Sequence, residues 1–208
     1  MTVDVDGWPS LLRFYGVNHD VSQADAQVNV ETGVLRLLNL FEKHGICATF
    51  FITGEMARRH PSAVEMINKK GHEVACHGLY HWENECLLER TEQEHRIKEA
   101  TAIIKQIVGI KPVGFRAPCL KANKDTFAIL SDNGYLYDSS IISTFIPGYY
   151  GDLSLNFRPY WLSLNYSSSK QKTKTLLEIP VSVNPLLPIP LSAAWMRNLG
   201  ACWVKLGV

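Results

Sequence analysis

No stretch of this chain approaches the ~20 consecutive apolar residues that a bilayer-spanning helix needs. No basic segment followed by an apolar one stands at its start either, so neither a membrane span nor a leader is expected within these residues. Charge of one sign is also lacking, with 21 Lys and Arg against 20 Asp and Glu, a formal net charge of +1. That balance gives no electrostatic reason to expect nucleic acid or anionic lipid as a partner. Cysteine is scarce and poorly spaced for pairing: Cys47, Cys76, Cys86, Cys119 and Cys202 form an odd set without a CxxC pair. A disulfide framework is therefore not expected, and free thiols favour a reducing compartment such as the cytoplasm. Cys47 and Cys76 sit in apolar runs, where a reduced thiol acts as a small hydrophobe. Histidine is absent beyond His95. Low-complexity tracts and internal repeats are missing too, and nothing speaks to oligomeric state.

What is present is a globular composition, 46% hydrophobic and 20% charged over 208 residues, enough for one domain with a substantial core. Strand-like and helix-like patterns alternate, which points to an α/β architecture. Strands are expected over residues 2–6, 46–53, 71–76, 113–116, 135–138 and 176–183. The run ICATFFIT (46–53) is apolar throughout, as a strand buried on both faces should be. Val34, Leu35, Leu37, Leu38 and Phe41 recur at helical spacing and end at Lys43, His44 and Gly45, a helix stop. Further helices are expected over residues 57–69, with Pro61 in the second turn or at a break, over 91–108 and over 124–134. Residues 139–175 are rich in aromatics and turn formers and read as a long loop.

Four polar clusters fall at or just beyond the C-terminal ends of these strands: Asp4 with Asp6, His77 with His81, Arg116, and Asp138 with Ser139. In parallel α/β barrels that edge is where active sites are built. His77 and His81 are four residues apart, a spacing that on a helical turn aims both imidazoles at one cation. The plainer reading is two surface histidines. The glutamate base of an HExxH zinc protease is ruled out, because Gly78 holds its position. Asp6 offers a third ligand, and two histidines with one carboxylate suit zinc, iron or cobalt. Asp4 and Asp6 share a face of their strand, so Asp6 can serve a metal while Asp4 stays free as a base. Without a metal the two are simply a surface carboxylate pair. Arg116 then holds Asp4 ionised, or is an ordinary surface arginine. Asp138 reads as a supporting group or as a cap.

The segments TVDVDG (2–7), ATFFITGEMA (48–57), GHEVACHGLYH (71–81), FRAP (115–118) and YDSS (137–140), in this order, resemble the polysaccharide deacetylases of carbohydrate esterase family 4. The likeness is to the subgroup whose first motif is Asp-x-Asp, and FRPYW (157–161) and LLEIPVSV (176–183) resemble that subgroup too. The resemblance implies a deformed (β/α) TIM-like barrel of about seven strands. It also implies one divalent metal, zinc above all, with cobalt, iron, manganese or nickel as alternatives. The implied activity is removal of N-acetyl groups from amino-sugar polymers by metal-activated water.

Carried over by position, Asp6, His77 and His81 match the metal ligands, Asp4 the base and Arg116 the residue that orients it. The backbone N–H of Cys119 matches an oxyanion donor, at a position where the family more often has an aromatic residue. Asp138 matches the aspartate that tunes a late histidine acid. Since that histidine is missing, the chain reads as a single domain over 1–208 that lacks its final strand and histidine motif, or as an enzyme that uses His19 or water instead. Trp8, Tyr80, Pro118, Ser139 and Tyr149 are expected on the substrate side. Trp82, Tyr150 and Trp161 are further rings able to stack on sugars, though such rings also serve as core or rim. Hydrolysis of other linear or cyclic amides, and a non-catalytic metal or carbohydrate-binding role, are the competing readings.

Overall fold

The computed structural model of the chain describes residues 1–7, 23–146, 150–152, 156–164, 174–184, 189–200, 202 and 205. Short runs of β-branched, aromatic and small residues form β1 (Thr2–Val5), β2 (Thr49–Ile52), β3 (Glu73–Cys76), β4 (Gly114–Phe115) and β5 (Tyr137–Asp138). These five lie parallel and in chain order. An antiparallel pair comes next, β6 (Thr144–Ile146) with β7 (Tyr150–Asp152), and then β8 (Tyr160–Leu164) and β9 (Lys174–Glu178). β9 joins β5 in parallel and β8 joins β9 antiparallel, giving a mixed seven-stranded sheet of order β1-β2-β3-β4-β5-β9-β8. The strand number matches the expected barrel, and among the described residues the sheet is not closed, with β1 and β8 as its edges.

The helices are α1 (Gln23–His44), α2 (Gly54–Arg59), α3 (Pro61–Lys69), α4 (Arg90–Val108), α5 (Lys124–Asp132) and α6 (Ala193–Leu199). Helix α1 buries Val30, Val34, Leu38 and Phe41, one stripe at helical spacing, while Leu35 turns outward. It ends as expected on Lys43 and His44, with Gly45 at φ +61°. The segment 57–69 is two helices, not one. Pro61 opens α3, and its ring keeps the preceding His60 out of helical backbone, at φ −129° and ψ 54°. Helix α4 buries Ile97, Ala100 and Ile104 against the sheet, whose own core includes Phe50, Ile52, Cys76 and Phe115.

Three expectations are corrected. Cys47 precedes β2 and is exposed, so of the two thiols in apolar runs only Cys76 is core; all five cysteines are free. The stretch 139–175 is no single loop. β8 alternates half-buried Tyr160, Leu162 and Leu164 with exposed Trp161 and Ser163, the period of a strand covered on one face. The run 176–183 is strand only to Glu178, beyond which Val181 and Val183 make isolated bridges. No helix among the described residues is long and apolar enough to cross a membrane.

Register is what builds the site. Val5, Ile52, Cys76, Phe115, Asp138 and Glu178 stand opposite one another across six strands. The residues one step further on, Asp6, His77, Arg116 and Ser139, therefore share the C-terminal edge.

Candidate metal centre

Asp6, His77 and His81 meet there, each offering one ligand atom, and these atoms lie within 4.8 Å of one another. Asp6 Oδ1 is 3.3 Å from His77 Nε2, and Asp6 Oδ2 is 3.5 Å from His81 Nε2. The histidines do not lie on a helical turn as their spacing suggested. They bound a loop after β3, in which Gly78 has φ +72°. His77 Nδ1 is 2.7 Å from the Arg116 carbonyl. A carbonyl only accepts, so Nδ1 carries the proton and the Nε2 lone pair faces Asp6.

An imidazole lone pair against a carboxylate needs a proton or a cation between them. Burial acts to lower the pKa of His77, and the adjoining Asp6 outweighs it and pushes it up. Burial acts to raise that of Asp6, and His77 beside it pushes it down. His81 is pushed down, by burial first, only partly offset by Asp6. Asp6 Oδ1 is buried without a hydrogen-bond partner. Two imidazole nitrogens and a carboxylate oxygen of this kind fit a divalent cation, zinc included.

Arg116 sits beside this group, buried and stacked with its guanidinium 4.1 Å from the Phe51 ring centroid. Its Nη1 donates to Asp4 Oδ1 at 2.7 Å and to Thr2 Oγ1 at 3.2 Å. Its Nε and Nη2 donate to Ser139 O and Oγ, at 3.0 and 2.8 Å. The Asp4 side chain keeps 35% of its surface exposed, so one charge is anchored and its partner remains reachable. Ser139, expected on the substrate side, holds Arg116.

Asp138 is fully buried and, among the described residues, has no histidine as a hydrogen-bond or ion-pair partner. Its two oxygens accept from the Ser140 hydroxyl at 2.7 Å and the Ser140 N–H at 2.8 Å. Glu178 stands opposite it in register, equally buried, with Oε1 accepting from Ile141 N at 3.0 Å. Two adjacent buried carboxyls cannot both ionise. Burial raises Asp138, and burial and then the Asp138 charge push Glu178 up to about 10, so the pair holds a proton. Glu178 was overlooked in the sequence, although one acid inside LLEIPVSV was its signal, since an ionisable group in a buried strand needs a partner.

The turn Pro118–Leu120 carries two non-glycine residues in left-handed backbone, Cys119 at φ 55° and Leu120 at φ 57°. Such positions cost energy and cluster at functional sites. Pro118 and Cys119 line a small cavity of 40 Å³ with His81, Trp82 and Lys121. Burial pushes the Cys119 thiol up to about 11, leaving it protonated at neutral pH. Tyr80 packs on Trp82, ring centroids 4.7 Å apart, under Arg96, and lines an open groove of 660 Å³ with Arg58 and Arg59. Trp161 lies exposed on β8. Trp8, His19, Tyr149 and the side chain of Tyr150 fall outside the described residues.

A mixed open-edged sheet with a histidine and carboxylate triad at the C-terminal edge of its parallel strands places the chain among α/β domains with a candidate metal centre. The profile of the polysaccharide deacetylase family matches residues 24–137, more than half of the chain, and the chain belongs to that family. The match takes in His77, His81, Arg116 and Cys119 but neither Asp4, Asp6 nor Asp138. A peptidoglycan deacetylase of Helicobacter pylori is 29% identical over 169 residues, 81% of this chain and 54% of that protein. A peptidoglycan deacetylase-like protein of Gibberella zeae is 34% identical over 111 residues, 52% of this chain and 32% of that one. The chain thus spans about half and a third of these curated relatives. Among solved structures, a Mycobacterium smegmatis protein assigned as a polysaccharide deacetylase aligns over 100% of this chain and 72% of its own, with TM-score 0.70 and 25% identity. An allantoinase aligns over 73% of this chain and 44% of its own, with TM-score 0.57 and 25% identity.

Proposed function

We propose that residues 1–208 form one metal-dependent hydrolase domain that removes N-acetyl groups from amino-sugar poly- or oligosaccharides. The observation that carries this reading is the gathering of Asp6, His77 and His81 beside an Asp4 carboxylate that Arg116 holds at 2.7 Å. The peptidoglycan deacetylases among the relatives support an amino-sugar polymer as substrate.

Asp6, His77 and His81 would hold the divalent ion, with zinc preferred and cobalt, iron, manganese or nickel as alternatives. When bound, such an ion polarises a carbonyl and lowers the pKa of water towards ~7. Asp4, paired with Arg116, takes the proton of the attacking water. The Cys119 N–H is the donor for the oxygen charge that develops on the amide. The departing amine needs a proton. Asp138 is buried and engaged by Ser140. Asp4, protonated in the first step, returns that proton to nitrogen, which balances the reaction as acetic acid and free amine.

The test is acetate release from N-acetylglucosamine oligomers by zinc-loaded protein, with allantoin as control substrate. Acetate is the expected product. Ring opening of allantoin without acetate would transfer the reading to other amides. Zinc bound with neither product would leave a binding role.

A further inference from the structure

Gly78, Leu79 and Tyr80, between the two histidines, form no helix or strand. Four of their backbone groups are nevertheless held. The Gly78 and Leu79 carbonyls accept from Gly54 N and Glu55 N at the start of α2, at 2.9 and 3.0 Å. The first amides of a helix have no partner within it, so α2 has these two to offer. The approach is close: a Cβ on Gly54 would stand 2.7 Å from Leu79 Cδ1 and 3.0 Å from the Ala100 backbone.

The loop's own amides are gathered from the opposite side. Leu79 N and Tyr80 N both donate to one oxygen, Glu85 Oε1, at 2.8 and 3.0 Å. Glu85 is buried at the start of a single 3₁₀ turn, Glu85–Leu87, which folds the chain back under the loop. Its other oxygen occupies the space left by the missing side chain of Gly78, where a Cβ would lie 2.8 Å from Oε2. A carboxylate accepting two buried amides locks their orientation, because a conformation that freed them would leave polar groups unpaired.

We propose that Glu85 is the positioning residue of the metal centre, fixing the loop whose ends are His77 and His81 and so setting the distance between the two imidazoles. This rests on Asp6, His77 and His81 being metal ligands. Glu85 touches neither the ion nor the substrate; it acts through the backbone of Leu79 and Tyr80.

The experiment is zinc affinity by competition with a chromophoric chelator, on the parent protein, Glu85→Ala and Glu85→Gln. Amide hydrogen exchange of the metal-free proteins and the visible spectrum of their cobalt forms accompany it. Glu85→Ala is expected to lose about 10- to 100-fold in zinc affinity, the range for residues that orient ligands. Its Leu79 and Tyr80 amides should exchange faster, and its cobalt spectrum should shift. Glu85→Gln keeps a carbonyl oxygen in place and should stay within about threefold of the parent. Parent-like affinity and cobalt spectrum in Glu85→Ala would overturn the proposal. If the parent itself bound no zinc, the ligand assignment would fall, and the role of Glu85 with it. Should Glu85→Ala not fold, Glu85→Asp replaces it: one methylene shorter, it cannot reach both amides and should bind at least about tenfold more weakly than Glu85→Gln. Equal affinities of those two would overturn the proposal as well.

Discussion

Two groups of buried carboxyls share the C-terminal edge of the sheet, and their surroundings drive them in opposite directions. Asp6, between His77 and His81 and near Arg116, is held below the usual carboxylate range although burial alone would raise it. Asp138 and Glu178, four and five strands from β1 in the sheet order, are raised by burial first, with the Asp138 charge adding to the rise at Glu178. Burial pushes every one of these acids up, and only where cations stand close by, as at Asp6, is that push overcome. The first group stays anionic with two imidazole nitrogens close to it, an arrangement that fits a cation site. The second keeps a proton and closes on itself.

The sharpest way to break this comparison is His77→Ala. Loss of one of three ligands should weaken zinc binding by more than about 100-fold, beyond the effect of removing an orienting partner, as read by chelator competition. An unchanged zinc stoichiometry would remove His77 from the triad. Asp4→Asn should come next, with turnover falling by about 10²- to 10⁴-fold, the contribution of a general base, while zinc content and thermal stability hold. If turnover were unchanged, Asp4 would not be the base.

The second group makes a pH prediction. A carboxyl raised in the folded state binds its proton more tightly there than in the unfolded chain, so stability falls as pH rises above the unfolded value. For Glu178 that decline runs from the ordinary value of 4.5 towards about 10. Glu178→Gln should flatten the fall of melting temperature between pH 5 and 9; a slope equal to the parent's would mean that the pair does not share a proton. The smallest effect is expected at Cys47→Ser, where an exposed thiol should change unfolding free energy by no more than about 0.5 kcal/mol. A larger loss in denaturant melts would contradict its placement outside the core.

Much of the site was legible from residues alone, because parallel strands end together and set the residues just beyond their ends along one edge. Asp6, His77, Arg116 and Ser139 could be gathered from their strand patterns, and the structure brings them to a common register. The conformation of the HGLYH loop was not legible, since spacing by four fits a helical turn as well as a loop tied down by α2 and Glu85. Glu85 itself carried no signal, as Glu83 and Glu89 nearby look identical in sequence. β8 was hidden among prolines and aromatics, because a short edge strand covered on one face leaves only a brief alternation. The pairing of Asp138 with Glu178 was not legible either, since that contact depends on β5 and β9 lying side by side.

The most direct test of the central claim is a zinc titration of the metal-free protein and of Asp6→Asn at neutral pH, monitored by calorimetry. The account predicts one site per chain in the parent and its loss or severe weakening in Asp6→Asn. Equal binding by both proteins, or no binding by the parent, would contradict it.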